Sequence, residues 1–171
     1  MAYNKNQFEA LIKMVLARME KYVPKVNSPS AVNLLLGTAA VESDFGSYLR
    51  QLGEGPAKGP FQMEPDTEAD IWQNYIRHRK ALKDCLLALC DATGPQPEKL
   101  ETDLVYSIVM TRIYYLRKRE KLPAADNIPA LGGYWKCHYN TLKGKGTIGE
   151  FIKKYDIFVR GLNGEQRPKA S

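Results

Sequence analysis

The chain has 171 residues and 19.3 kDa, of which 44% are hydrophobic and 26% charged, enough to bury roughly two-thirds of the unfolded surface around one core and to exclude the disordered and fibrous classes. Its three cysteines, Cys85, Cys90 and Cys137, form an odd set without close pairing, which argues against a disulfide framework, and no run approaches the ~20 apolar residues of a membrane span. The net charge of +6 and pI near 9.2 predict attraction to polyanions such as nucleic acid, anionic lipid or the acidic polymers of a bacterial envelope, without choosing among them.

Phe8, Leu11, Ile12, Val15, Leu16, Met19, Tyr22 and Val23 recur at helical spacing until Pro24, predicting an amphipathic helix over about 5 to 23. This opening carries no signal-peptide pattern, since Lys5, Asn6, Gln7 and Glu9 interrupt it and no small-residue cleavage site follows. Synthesis in the cytosol is therefore expected. Ser28-Pro29 reads as an N-cap with proline in the first helical position, opening a second helix that runs to about Glu42.

From Phe45 to Pro65 the glycines and prolines exclude helix and predict a loop or short hairpin, long enough to suspect function. Helical texture returns from Asp66 or Thr67 through Ile76 and again over Ala81 to Cys90, and breaks at Thr93-Gly94-Pro95-Gln96-Pro97. One long helix is predicted from about Glu98 to Arg119, and two shorter ones near 128 to 139 and 147 to 159. The expected architecture is a single, mainly α domain over 1 to 160 with a polar tail at 161 to 171.

If the second helix reaches Glu42, then Ala31, Leu34, Leu35, Thr38 and Glu42 share one face. A carboxyl on a mostly apolar stripe at a helix C-terminus holds its proton more tightly, through desolvation and the negative end of the helix dipole. A general acid requires that property.

The segment Gly59-Pro60-Phe61-Gln62-Met63-Glu64-Pro65-Asp66-Thr67 lies 17 residues after Glu42. Glu42-Ser43 with nearby Phe45, then this segment with Gly59, Gln62, Pro65 and Thr67 in register, then His138-Tyr139-Asn140, resembles the soluble lytic transglycosylase and goose-type lysozyme superfamily. The middle motif of that family reads Gly-Leu-Met-Gln-x-x-Pro-x-Thr, so Pro60 and Phe61 depart from it. The glycine after Tyr-Asn comes late, at Gly144, and the stretch from 68 to 105 is longer than the family needs.

The resemblance implies a lysozyme-like, two-lobed domain with a minor β component, which would act on peptidoglycan glycan strands without cofactor or metal. It implies that Glu42 protonates the oxygen between N-acetylmuramic acid and N-acetylglucosamine. Tyr139 would bond the Glu42 carboxyl, Gln62 would engage an N-acetyl sugar, and Phe45 and Phe61 would wall the cleft. Ser43, Glu64 and Asn140 complete the expected substrate-binding set. Closing a 1,6-anhydro ring needs Glu42 alone, whereas hydrolysis needs a second carboxylate, for which Asp44, Glu54, Glu64 and Asp66 are the candidates.

With no export signal, the expected source is a phage, the enzyme being made in the host cytoplasm and reaching the wall on release or within the virion. Other virion proteins are further candidate partners. Two rivals differ in class: a catalytically inactive structural or binding module of a virion with the same fold, and a nucleic-acid-binding helical protein using the basic run Arg112, Arg117, Lys118, Arg119 and Lys121. No helix-turn-helix or zinc-finger pattern accompanies that run, so no specific nucleic acid is expected. The spacing of Cys85, Cys90, Cys137 and His138 does not suit zinc.

Overall fold

A computed structural model describes residues 1–140 and 144–162. The first helix, α1 (Lys5–Glu20), begins where the Asn4 side chain accepts the Gln7 N–H at 3.1 Å, and it buries Phe8, Ile12, Val15, Leu16 and Met19. Lys21 to Val23, expected to be helical, instead form turns that close on Arg18 and Met19. The second, α2 (Pro29–Ser43), starts as its sequence predicts, with the Ser28 hydroxyl accepting the Ala31 N–H at 3.1 Å and Pro29 in the first turn.

Nearly every residue of α2 from Ala31 to Ala40 is buried, so this helix is the axis around which the rest is packed. Gly37 sets one of its distances. A Cβ there would stand 2.1 Å from the Phe151 ring, so the last helix approaches this closely only because no side chain intervenes.

Between α2 and α3 (Pro65–Asn74) the expected loop or short hairpin is a loop with isolated antiparallel bridges, Arg50 with Lys58 and Lys58 with Met63. A 3-10 turn over Ile76–His78 leads into α4 (Lys80–Cys90).

The helix predicted from 98 to 119 is two helices, α5 (Lys99–Thr102) and α6 (Leu104–Leu116). Asp103 separates them: it is extended (φ −128°, ψ 103°), and its carboxylate caps the new helix by accepting from Val105 and Tyr106 N–H. Leu100 and Leu104 keep helical spacing across the break, which hid the capping aspartate from periodicity.

Asn127 caps α7 (Ile128–Trp135), and Thr147 and Glu150 form a reciprocal capping box on α8 (Ile148–Tyr155). Each of these helices ends in one wider π turn, Lys136–Asn140 and Asp156–Arg160. Gly161, at φ +69°, ends the second. The mainly α class expected from the sequence holds. The tail expected at 161 to 171 lies outside the described residues from 163 onward.

Candidate active site

Glu42 occupies the last turn of α2, below a buried face of Ala31, Leu34, Leu35 and Thr38. Thr38 donates to Leu34 O at 2.7 Å and shares a 2.8 Å bond with the Tyr115 hydroxyl, so the polar groups along this stripe are satisfied internally. The Glu42 side chain is half-buried and lines a cavity of about 450 Å3 together with Tyr48, Gln62, Glu64, Tyr139 and Asn140. The hairpin residues Gln51, Leu52 and Ala57 form a further wall. A second cavity of about 300 Å3 shares Gln62, Glu64, Tyr139 and Asn140 and extends to Thr67 and Tyr114, so the two cavities are adjacent.

Burial pushes the Glu42 carboxyl up to about 7, because a charged carboxylate there loses hydration. A bond from the Trp135 indole N–H to Glu42 Oε1 at 2.8 Å opposes that rise. The result is an acid that holds its proton near neutral pH and is oriented by one fixed donor.

The chain leaves α2 through three successive left-handed residues, Asp44, Phe45 and Gly46 (φ 50°, 59° and 77°). Two hydroxyls hold this exit. Tyr48 donates to the Glu42 backbone oxygen at 2.9 Å, satisfying a carbonyl at the helix end. The fully buried Ser43 hydroxyl lies 2.7 Å from Pro60 O and accepts the Gly46 N–H at 2.8 Å. Ser43 thus ties the helix carrying Glu42 to the segment carrying Gln62, and does not itself line the cavity.

In that segment Gly59 has φ +74°, and a Cβ on it would fall 1.8 Å from Leu100 O, so glycine is required by conformation and by space. Gln62 is also left-handed, at φ +48°. Its amide nitrogen donates to Gly59 O at 2.8 Å.

Three expectations are corrected here. Tyr139 lines the cavity, but its hydroxyl donates to Phe61 O at 2.8 Å rather than to the Glu42 carboxyl. Its ring stacks on Tyr115 and meets Tyr114 edge-on, and this packing directs the hydroxyl. Phe45 and Phe61 do not wall the cleft: both are wholly buried, Phe45 between Phe8 and Phe158 and Phe61 near Phe8. Apolar burial outweighs any gain from exposing those rings.

Asn140 lines the cavity, its Oδ1 accepting from the Lys136 ammonium at 2.8 Å, while the same ammonium donates to Gly144 O at 2.7 Å. Trp135 and Tyr48 are the hydrogen-bond partners of Glu42 that sequence reasoning missed. The only available signal was general, in that a buried indole must find an acceptor, and 93 positions separate Trp135 from Glu42.

Of the four candidate second carboxylates, Asp44 is ion-paired with Lys154, and Glu54 and Asp66 are exposed away from the cavity lining. Glu64 lines it. Among the described residues no group of three His, Cys, Asp or Glu is arranged to hold a metal. Burial raises the Cys85 and Cys90 thiols to about 11 and about 12, which makes them poor nucleophiles.

The basic run does not form one exposed face. Arg112 is buried, donating to Val26 O at 2.8 Å, and Arg117 pairs with Asp70 at 2.5 Å. No helix among the described residues is long and apolar enough to cross a membrane. Comparison of the chain with protein-family models, with curated proteins and with solved structures returned no match.

Proposed function

We propose that this chain is a peptidoglycan-degrading glycosidase that cleaves the β-1,4 bond between N-acetylmuramic acid and N-acetylglucosamine, with Glu42 as the general acid. In this reading the helical body and the 45 to 65 hairpin form the two walls of a lysozyme-like cleft. One observation carries the proposal: the Glu42 carboxyl, raised to about 7 by burial and held by the Trp135 indole, lines a polar cavity. The sequence resemblance to the soluble lytic transglycosylase and goose-type lysozyme superfamily supports it independently.

Glu42 protonates the glycosidic oxygen as the C1–O bond breaks, and its carboxylate then faces the developing positive charge at C1. Gln62 and Asn140 offer amide groups along the groove for the sugar N-acetyl substituents. An inert scaffold gains nothing from a carboxyl whose ionisation is penalised by burial, and the buried Arg112 and paired Arg117 weaken the nucleic-acid reading. Loss of turbidity of purified peptidoglycan tests the proposal. Wild type should clear the suspension and Glu42→Gln should lose at least ~100-fold in rate, in line with removal of a general acid, with its circular dichroism unchanged.

A further inference from the structure

We propose that Glu64 is the second catalytic carboxylate, the base that takes a proton from a water attacking C1, so that cleavage by this chain is hydrolytic and leaves a reducing end. This rests on the glycosidase reading of the Glu42 cavity and goes beyond it by fixing the reaction type. Glu42 and Glu64 are the carboxylates that line this cavity among the described residues.

The other nearby acids are removed by position. Asp44 is ion-paired with Lys154, and Asp44, Glu54 and Asp66 are all absent from the lining. Glu64 is exposed, and none of the ion pairs among the described residues engages its carboxylate.

Its backbone is nevertheless fixed. The preceding Met63 exchanges both backbone hydrogen bonds with Lys58, at 2.9 and 3.0 Å, and the following Pro65 opens α3. Glu64 is thus a carboxylate on a rigid mount at the N-cap position of a ten-residue helix, where a negative side chain meets the positive end of the helix dipole. A cavity of about 450 Å3 exceeds the ~30 Å3 share of one water more than tenfold, leaving room for a sugar ring beside it.

The step balances as a hydrolysis. The Glu42 proton passes to the glycosidic oxygen, which leaves with the C1–O electron pair. The water oxygen forms the new bond to C1 and its proton passes to Glu64. One water is consumed, and exchange with solvent returns Glu42 to its acid form and Glu64 to its base form. The alternative nucleophile, the C6 hydroxyl of the muramic acid ring, consumes no water and gives Glu64 nothing to do.

Mass spectrometry of fragments from purified peptidoglycan separates these outcomes. The proposal expects wild type to release reducing ends and Glu64→Gln to form them at least ~100-fold more slowly, the usual worth of a positioned base. Adding azide to Glu64→Ala should restore cleavage and yield a glycosyl azide, because a small anion needs no base. Wild-type ends lighter by one water, or undiminished reducing ends from Glu64→Gln, would overturn the assignment to Glu64 while leaving the glycosidase reading intact. No fragments from folded wild type would overturn that reading itself.

Discussion

The Trp135 indole N–H and the Glu42 carboxyl, 93 residues apart in sequence, meet at 2.8 Å. Burial raises the carboxyl and this bond lowers it, so the acidity of Glu42 is a balance between an α2 position and an α7 position. Trp135→Phe removes the bond that favours the charged form. The alkaline limb of the activity profile should then move to higher pH, and stability should fall by about 1 to 2 kcal/mol for the lost buried volume. Initial rates measured from pH 5 to 9 would contradict this balance if the limb stayed in place or moved down.

The same burial makes stability depend on pH. Folded Glu42 holds its proton up to about 7, against an ordinary value of 4.5. The folded state therefore binds the extra proton throughout that interval, and stability falls as pH rises through it. Each tenfold difference in proton affinity is worth about 1.4 kcal/mol. Glu42→Gln is neutral at every pH and keeps an acceptor for Trp135. Relative to wild type its melting temperature should rise steadily between pH 4.5 and pH 8, by up to about 10 °C. Parallel melting curves for the two proteins across that range would show that Glu42 does not titrate as described.

Ser43 acts through others. Its hydroxyl satisfies Pro60 O and the Gly46 N–H in a fully buried place, so Ser43→Ala leaves two backbone groups unpaired. Stability should drop by about 2 kcal/mol. Activity should also fall, because Glu42 and Gln62 lose their shared tether. Denaturant unfolding and clearing rates measured on the same samples check both.

Two glycines with left-handed backbones separate conformation from space. At Gly53 (φ +80°) an added Cβ meets nothing within 4 Å, whereas at Gly59 (φ +74°) it meets Leu100 O at 1.8 Å. Gly53→Ala should cost only the left-handed penalty of about 1 to 2 kcal/mol. Gly59→Ala adds a backbone clash and should cost at least about 2 kcal/mol more, with loss of clearing activity as the Gln62 segment shifts. Equal destabilisation of the two variants would contradict the packing of the hairpin on α5.

Local chemistry was legible in the sequence. The Ser28 cap, Pro29 and the apolar face from Ala31 to Thr38 placed Glu42 on a buried stripe, and the Gly59 to Thr67 segment indicated Gln62 and Glu64. What could not be read was side-chain direction across long separations. Phe45 and Phe61 sit next to the site in sequence, yet the left-handed exit from α2 and the tether to Ser43 turn them into the core. Tyr139 faces the cavity, but stacking on Tyr115 sends its hydroxyl to Phe61 O. Trp135 has no spacing relation to Glu42 at all. The missed break at Asp103 has a different cause, for its capping signal was local and the surrounding leucines masked it.

The pH dependence of peptidoglycan cleavage, run on wild type and Glu42→Gln side by side, tests the central claim most directly. Wild type should release soluble fragments at a rate that falls as pH rises through about 7, while folded Glu42→Gln should remain at least ~100-fold slower at every pH. Cleavage by Glu42→Gln at the wild-type rate, or a wild-type rate that climbs through neutral pH, would contradict Glu42 as the acid.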